Sequence, residues 1–186
     1  IPDVARELLD HGYAIVRGDA GMVKLLDDIF DSAGDFFALG PREKKRFERP
    51  DLLEGYRRYA AEHSGPLNRP DLNETFSLVL RNMAREDIAP WSNTNPLHRA
   101  LRAAAPRYAA LVDGVLDEIR RELNPGGDRV SSAEFSYFQL NYYRPRAEKR
   151  TFLQEAHEDG HLLTVVTSRQ PGLEAEIVHE REPLVG

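Results

Sequence analysis

Gln154-Glu155-Ala156-His157-Glu158-Asp159-Gly160-His161-Leu162-Leu163-Thr164 is the richest run of chemistry-bearing side chains in this sequence. It sets an imidazole and a carboxylate two residues apart just ahead of an apolar stretch. In extended backbone, positions i and i+2 point to one face, so His157 and Asp159 can reach a single metal ion while Glu158 points away. The same letters also fit a solvated, polar entrance to a strand. His161 follows Gly160, which can redirect the chain, and is expected to point outward.

Immediately upstream, Glu134 to Tyr143 alternates. Phe135, Tyr137, Gln139, Asn141 and Tyr143 fall on one face, and Ser136, Phe138, Leu140 and Tyr142 on the other. Gln139, Asn141 and Tyr143 thus form three adjacent hydrogen-bonding groups on one side of a strand. Buried polar groups need partners, which a carboxylate-bearing ligand would supply; a strand with one wet face fits the pattern equally. His161 to Ser168, Leu173 to Val178 and the short run Tyr13 to Val16 are also strand-like.

Helices dominate the earlier part. Val4, Leu8 and Leu9 fall at helical spacing between Asp3 and His11, with Gly12 as the stop. A second helix is expected from about Ala20 to Ala38, burying Val23, Leu26, Ile29, Phe30 and Phe37. Pro41 starts a short basic turn in which Lys44, Lys45 and Arg46 read as a solvated face. Glu48 to Pro70 has little periodicity and many breakers, the pattern of a lid or binding loop. Asn95 caps a helix that opens on Pro96 and runs to about Leu123, with Pro106 a kink or break. Helices first and strands second indicate α+β rather than alternating βαβ, in one domain with a helix-rich part over 1–125 and a strand-rich part over 126–186.

Composition narrows the function classes. The 186 residues carry 25 Lys+Arg against 31 Asp+Glu, a formal charge of −6, which suits neither nucleic acid nor an anionic membrane surface. Cysteine is absent, which removes disulfides, thiolate zinc sites, iron–sulfur clusters and cysteine nucleophiles. No apolar run approaches the roughly 20 residues of a membrane span, and Ile1-Pro2-Asp3 does not open a signal peptide, so a soluble, cytoplasmic protein is expected.

With a second histidine from elsewhere, His157 and Asp159 would complete the two-histidine, one-carboxylate set of non-haem Fe(II) oxygenases. Asn141-Tyr142-Tyr143-Arg144-Pro145, His157-Glu158-Asp159, Leu162-Leu163-Thr164-Val165-Val166 and Pro171-Gly172-Leu173-Glu174 together resemble the core of the isopenicillin N synthase-like Fe(II)/2-oxoglutarate dioxygenases. Upstream, His11-Gly12-Tyr13-Ala14-Ile15-Val16, Asp35-Phe36-Phe37-Ala38-Leu39 with Lys44-Lys45, Gly55-Tyr56 and Asp71-Leu72-Asn73-Glu74-Thr75-Phe76 are similar to that family's earlier segments, in the same order. The resemblance implies a double-stranded β-helix, or jelly-roll, core flanked by N-terminal helices, with further strands expected past Gly186.

It also implies roles. His157 and Asp159 match two iron ligands, Tyr143 the tyrosine that commonly touches 2-oxoglutarate, and Asn141 the asparagine that shapes that site. The second iron histidine, and the Arg and Ser that hold the far carboxylate of 2-oxoglutarate, would lie past Gly186. Gln139 stands where many members carry arginine, and Arg144 and Arg146 where proline and cysteine are common. The implied reaction uses Fe(II) and O2 to couple oxidative decarboxylation of 2-oxoglutarate to hydroxylation, desaturation or cyclisation of a small metabolite. Asp159 argues against halogenation, because a chloride would need the position its carboxylate takes.

Arg57, Arg58 and Tyr59 in the breaker-rich segment, and Arg81 after the Phe76 to Leu80 run, are the candidates for substrate contact. His11, His63 and His98 are expected at surface or capping positions and His179 at a solvated strand end. The competing reading is a non-catalytic small-molecule-binding or interaction module on the same fold.

Overall fold

Asn73 to Val79 alternates polar and apolar side chains, and this segment becomes β2 (Asn73–Val79), the central strand of an antiparallel sheet. On one side it pairs with β1 (Gly55–Arg57), which sets Tyr56 opposite Phe76 and Arg57 opposite Thr75. On the other it pairs with β3 (Tyr137–Tyr143), which sets Asn73 opposite Tyr143, Thr75 opposite Asn141 and Ser77 opposite Gln139. The computed structural model describes residues 2–49, 54–66, 68–83, 94–144, 150–177 and 180–183.

A period of two separates the sheet into unlike faces. One carries Tyr56, Phe76, Leu78, Leu140 and Tyr142, together with Glu74. Helix α2 (Ala20–Ala38) lies against it. Phe36 meets Phe76 edge-on at 4.9 Å and Phe37 stacks on Tyr142 at 5.0 Å, with Phe47 and Tyr56 closing the cluster around Phe36. Each fully buried aromatic of this kind is worth about 1.5–3 kcal/mol of apolar transfer, enough to fix the register of strands as short as β1. The buried stripe of α2 is Ile29, Ala33, Phe36 and Phe37, whereas Val23, expected inside, is exposed because it precedes the stripe by more than a turn.

Glu74 is the exception on the aromatic face, and it is 1% exposed. Three groups hold it there. Lys44, at the end of α3 (Pro41–Lys44), places Nζ 2.6 Å from Glu74 Oε2 and also donates to Phe37 O at 3.0 Å. The Tyr56 hydroxyl donates to the same Oε2 at 2.5 Å, and Arg144 donates to Oε1 from Nε at 2.8 Å and again from Nη2. Lys44 is therefore no part of a solvated basic face, as its run suggests, but 3% exposed and paired. Burial favours the neutral form of Glu74, but hydrogen bonds from Lys44, Tyr56 and Arg144 outweigh it and hold the carboxyl below its ordinary value of 4.5.

The breaker-rich segment is less irregular than its composition suggests, since it supplies β1. Gly55 has φ +89, and a Cβ there would run into the Phe47 carbonyl, so the turn into β1 accepts glycine and little else.

Contacts divide the chain into two compact units. One, Ala20–Pro106 with Ala133–Asp159, contains α2, α3 and the whole β1-β2-β3 sheet. The other comprises Ile1–Asp19, Arg107–Ser132 and Gly160–Gly186. It holds α1 (Pro2–His11), stopped by Gly12 at φ +80, and the antiparallel pair β4 (Glu174–Ile177) and β5 (Glu180–Pro183). Within it Arg107 pairs with Asp19, and Arg129 Nε donates to Asp117 Oδ1 at 2.9 Å. Tyr13 to Val16 and His161 to Ser168 form no ladder among the described residues, contrary to expectation. Strand-like letters need a hydrogen-bonding neighbour to become a strand, and Ile15, Val16, Leu162, Val165 and Val166 are exposed.

Helix α4 (Pro96–Leu123) begins as its sequence promises. Asn95 Oδ1 accepts from the backbone N–H of Leu97 at 2.9 Å, with Pro96 at the first helical position. It then continues through Pro106 without ending. His98, expected at a surface or capping position, is 0% exposed, in phase with the buried Leu97, Leu101 and Ala104. The strand expected from Glu134 begins only at Tyr137, because Glu134 and Phe135 belong to the short helix α5 (Ser132–Phe135) that precedes β3. No helix among the described residues is long and apolar enough to cross a membrane.

Candidate functional site

The site grows from the second face of the sheet and the run 153–159 beside it. Leu72 N–H donates to Leu153 O at 2.7 Å, which fastens this run to the start of β2. Within it His157 Nδ1 lies 2.9 Å from the Glu155 carbonyl. A carbonyl only accepts, so in this contact Nδ1 is the donor, and the ring turns Nε2 toward Asp159. Nε2 is 3.4 Å from Asp159 Oδ1, and both side chains remain partly exposed. An imidazole nitrogen and a carboxylate oxygen thus face each other across one intervening residue, the donor types of a borderline divalent ion. Among the described residues no cluster of three His, Asp or Glu side chains forms a metal cage.

At the start of β3, Tyr137 feels the charge of Asp159. Burial raises its phenol pKa, the carboxylates of Asp159 and Glu62 push it further up, and the Arg57 guanidinium opposes them. Arg57, half-buried on β1, donates from Nη1 to Ser77 Oγ at 3.2 Å and sets Nε 3.4 Å from Glu62 Oε1. The face that starts at Arg57 then runs through Ser77, Thr75 and Asn73 on β2 to Gln139, Asn141 and Tyr143 on β3. Gln139 Nε2 donates to Asn141 Oδ1 at 3.0 Å. The Tyr143 hydroxyl donates to Gln154 Oε1 at 2.5 Å, Gln154 Nε2 to Ser64 Oγ at 2.8 Å, and Ser64 Oγ to Asp71 Oδ2 at 2.6 Å. Burial raises the Tyr143 pKa, Asn73 beside the hydroxyl opposes the rise, and Asp71 adds to it.

The candidates read from sequence separate accordingly. His157 and Asp159 come together, and Asn141, Tyr143 and Arg57 share one polar sheet face. Tyr59 goes elsewhere: its ring lies under the Arg144 guanidinium, 4.9 Å from Cζ, beside the buried Glu74. Arg58 and Arg81 are exposed, the latter on the turn Leu80–Asn82, and so are His161, His11 and His63. His179 and Arg146 lie outside the described residues. Missed from sequence were Asn73, Thr75 and Gln154. The signal was available for the first two, because Asn73, Thr75 and Ser77 alternate with Glu74, Phe76 and Leu78.

The family described as non-haem dioxygenase in morphine synthesis, N-terminal, matches residues 2–99, just over half of the sequence. No curated protein and no solved structure matches. The matched region stops short of β3 and of the His157–Asp159 pair, so it stands apart from the residues that bring a metal to mind. It covers α2, α3, β1 and β2, the scaffold on which the polar face is built. On this ground the chain belongs to the non-haem dioxygenase family and is a dioxygenase-type oxidoreductase.

Proposed function

We propose that this protein is an isopenicillin N synthase-like oxygenase dependent on Fe(II) and 2-oxoglutarate, built around a jelly-roll core to which β3 and the 153–159 run contribute. The observation that carries the reading is the approach of His157 Nε2 to Asp159 Oδ1, 3.4 Å apart, with the other ring nitrogen held by the Glu155 carbonyl. His157 and Asp159 would hold the metal, which when bound supplies O2 activation and the oxidative loss of CO2 from 2-oxoglutarate. The rest falls to the protein. The Glu155 carbonyl orients the imidazole, Asn141 and Tyr143 offer hydrogen bonds to a co-substrate carboxylate from one strand face, and Arg57 stands across β2 as a cation toward substrate.

Chelation tests the metal requirement. Treatment with EDTA under argon is expected to abolish 2-oxoglutarate-dependent O2 uptake, and Fe(II), but not Zn(II), should restore it. Uptake that survives chelation would overturn the proposal, and tight binding of small molecules without any uptake would favour a non-catalytic module.

Tyr143→Phe tests the co-substrate role. Losing a hydroxyl hydrogen bond to a charged group costs about 1.5–3 kcal/mol, so affinity for 2-oxoglutarate is expected to fall about ten-fold or more, with Fe(II) affinity nearly unchanged. Calorimetric titration of the Fe(II) protein under argon reads both constants, and equal values for wild type and variant would remove Tyr143 from the site.

A further inference from the structure

Tyr143 stands at one end of a chain of hydrogen bonds whose direction is decided by the charge at the other. Its hydroxyl meets Gln154 Oε1 at 2.5 Å, Gln154 Nε2 meets Ser64 Oγ at 2.8 Å, and Ser64 Oγ meets Asp71 Oδ2 at 2.6 Å. A carboxylate only accepts, so the Ser64 proton goes to Asp71 and Ser64 Oγ accepts from the Gln154 amide. That turns the amide oxygen toward Tyr143. An amide oxygen also only accepts, so the single proton of the phenol lies on Gln154. With the amide reversed, Gln154 Oε1 and Asp71 Oδ2 would be two acceptors facing one serine proton. Asn141 differs, since its bond with Gln139 engages its oxygen and not its amide protons.

The 153–159 run does not depend on the Gln154 side chain for its place. Leu153 O receives the Leu72 N–H at 2.7 Å, Arg150 Nη1 donates to Pro70 O at 2.8 Å, and Glu155 pairs with Arg150 at 3.2 Å and with Arg69 at 3.4 Å. Tyr143 is 37% exposed, so a dissolved anion can reach this residue. A co-substrate carboxylate accepts and does not donate, and it meets a hydroxyl whose proton is already taken. We infer that Gln154 is a positioning residue that competes with the co-substrate for the Tyr143 hydroxyl: without co-substrate Gln154 holds the proton, and a carboxylate gains it only as the Tyr143–Gln154 bond breaks. Affinity is thereby set below what the hydroxyl could give, by the worth of one hydrogen bond within the protein. The inference rests on the oxygenase reading for the identity of the co-substrate; the direction of the chain does not.

The test is calorimetric titration of the Fe(II) protein with 2-oxoglutarate under argon, for wild type, Gln154→Leu, Ser64→Ala, Tyr143→Phe and the double variant Tyr143→Phe/Gln154→Leu. Gln154→Leu nearly keeps the side-chain volume and removes the acceptor. It is expected to tighten 2-oxoglutarate about three- to ten-fold and to leave Fe(II) affinity unchanged. Ser64→Ala cuts the chain beyond the amide and should stay near wild type. The double variant should bind as Tyr143→Phe does, because the gain needs the hydroxyl. In metal-free protein labelled with ¹³Cζ-tyrosine, the Tyr143 signal, assigned by its loss in Tyr143→Phe, is expected to move in Gln154→Leu. Equal or weaker binding in Gln154→Leu, a gain that survives in the double variant, or an unmoved Tyr143 signal overturns the inference. So does a loss of Fe(II) affinity in Gln154→Leu, which would show that Gln154 supports the metal-bearing run instead. The two readings fail apart. Equal constants for wild type and Tyr143→Phe remove the co-substrate role of Tyr143 and this inference with it, whereas weaker binding in Tyr143→Phe without a gain in Gln154→Leu removes this inference alone.

Discussion

Alanine at His157 or Asp159 is expected to abolish 2-oxoglutarate-dependent O2 consumption and to weaken Fe(II) binding by more than the roughly 10–100-fold that loss of an outer-sphere partner costs. These two side chains set an imidazole nitrogen and a carboxylate oxygen 3.4 Å apart. His161→Ala should retain most of the activity, since His161 is exposed after a glycine turn. Asp159→Gly separates binding from turnover, because it opens a coordination position without adding bulk and is expected to keep weak Fe(II) affinity while losing product formation. Calorimetry with Fe(II) and an oxygen electrode read the two effects. Wild-type iron affinity in His157→Ala would end the assignment.

Glu74→Ala is expected to give the largest loss of stability, about 3–5 kcal/mol, or a fall in Tm of roughly 10 °C, because it leaves Lys44 charged and uncompensated in the interior. Arg144, whose side chain is half exposed, contributes less, as solvent screens it. The sign of the pH dependence follows from the depressed carboxyl. Since the folded pKa lies below the ordinary 4.5, the contribution of Glu74 is complete above about pH 4.5 and is lost as pH falls through the lower folded value. Glu74→Gln should remove that acid-side dependence along with much of the stability. Thermal unfolding of wild type and Gln variant across pH 3–7 checks it, and parallel curves would show that Glu74 does not titrate on unfolding.

Features that depend on local period are legible in the amino-acid sequence alone. Alternation along Tyr137 to Tyr143 sets Gln139, Asn141 and Tyr143 on one face, although Glu134 and Phe135, expected in the same strand, are helical, and the spacing of His157 and Asp159 lets them meet. Asn95-Pro96 and Gly12 mark a helix start and stop by chemistry that acts within a single turn. Features that depend on a distant partner are not legible. Lys44 sits in a run of basic letters, and nothing nearby reveals that its counter-ion is 30 residues away on β2. β1 is three residues long and exists because Phe76 and Ser77 receive it. Tyr13 to Val16 and His161 to Ser168 err in the other direction, having strand composition but forming no ladder among the described residues. His98 is within reach, since it falls in register with Leu101, but a lone histidine early in a helix reads as a cap before it reads as core.

The buried pair also bears on how the sequence can change over generations. Lys44 and Glu74 are far apart in the chain, yet replacing Glu74 alone strands the Lys44 charge in a dry interior and replacing Lys44 alone takes the buried cation from Glu74, whereas replacing both with apolar residues of similar volume need not cost stability. The intermediate is unfit and the end point is not. Descendants of this protein should therefore hold the two positions fixed or exchange them together, so that a salt link contributing little net energy still acts as a ratchet against drift.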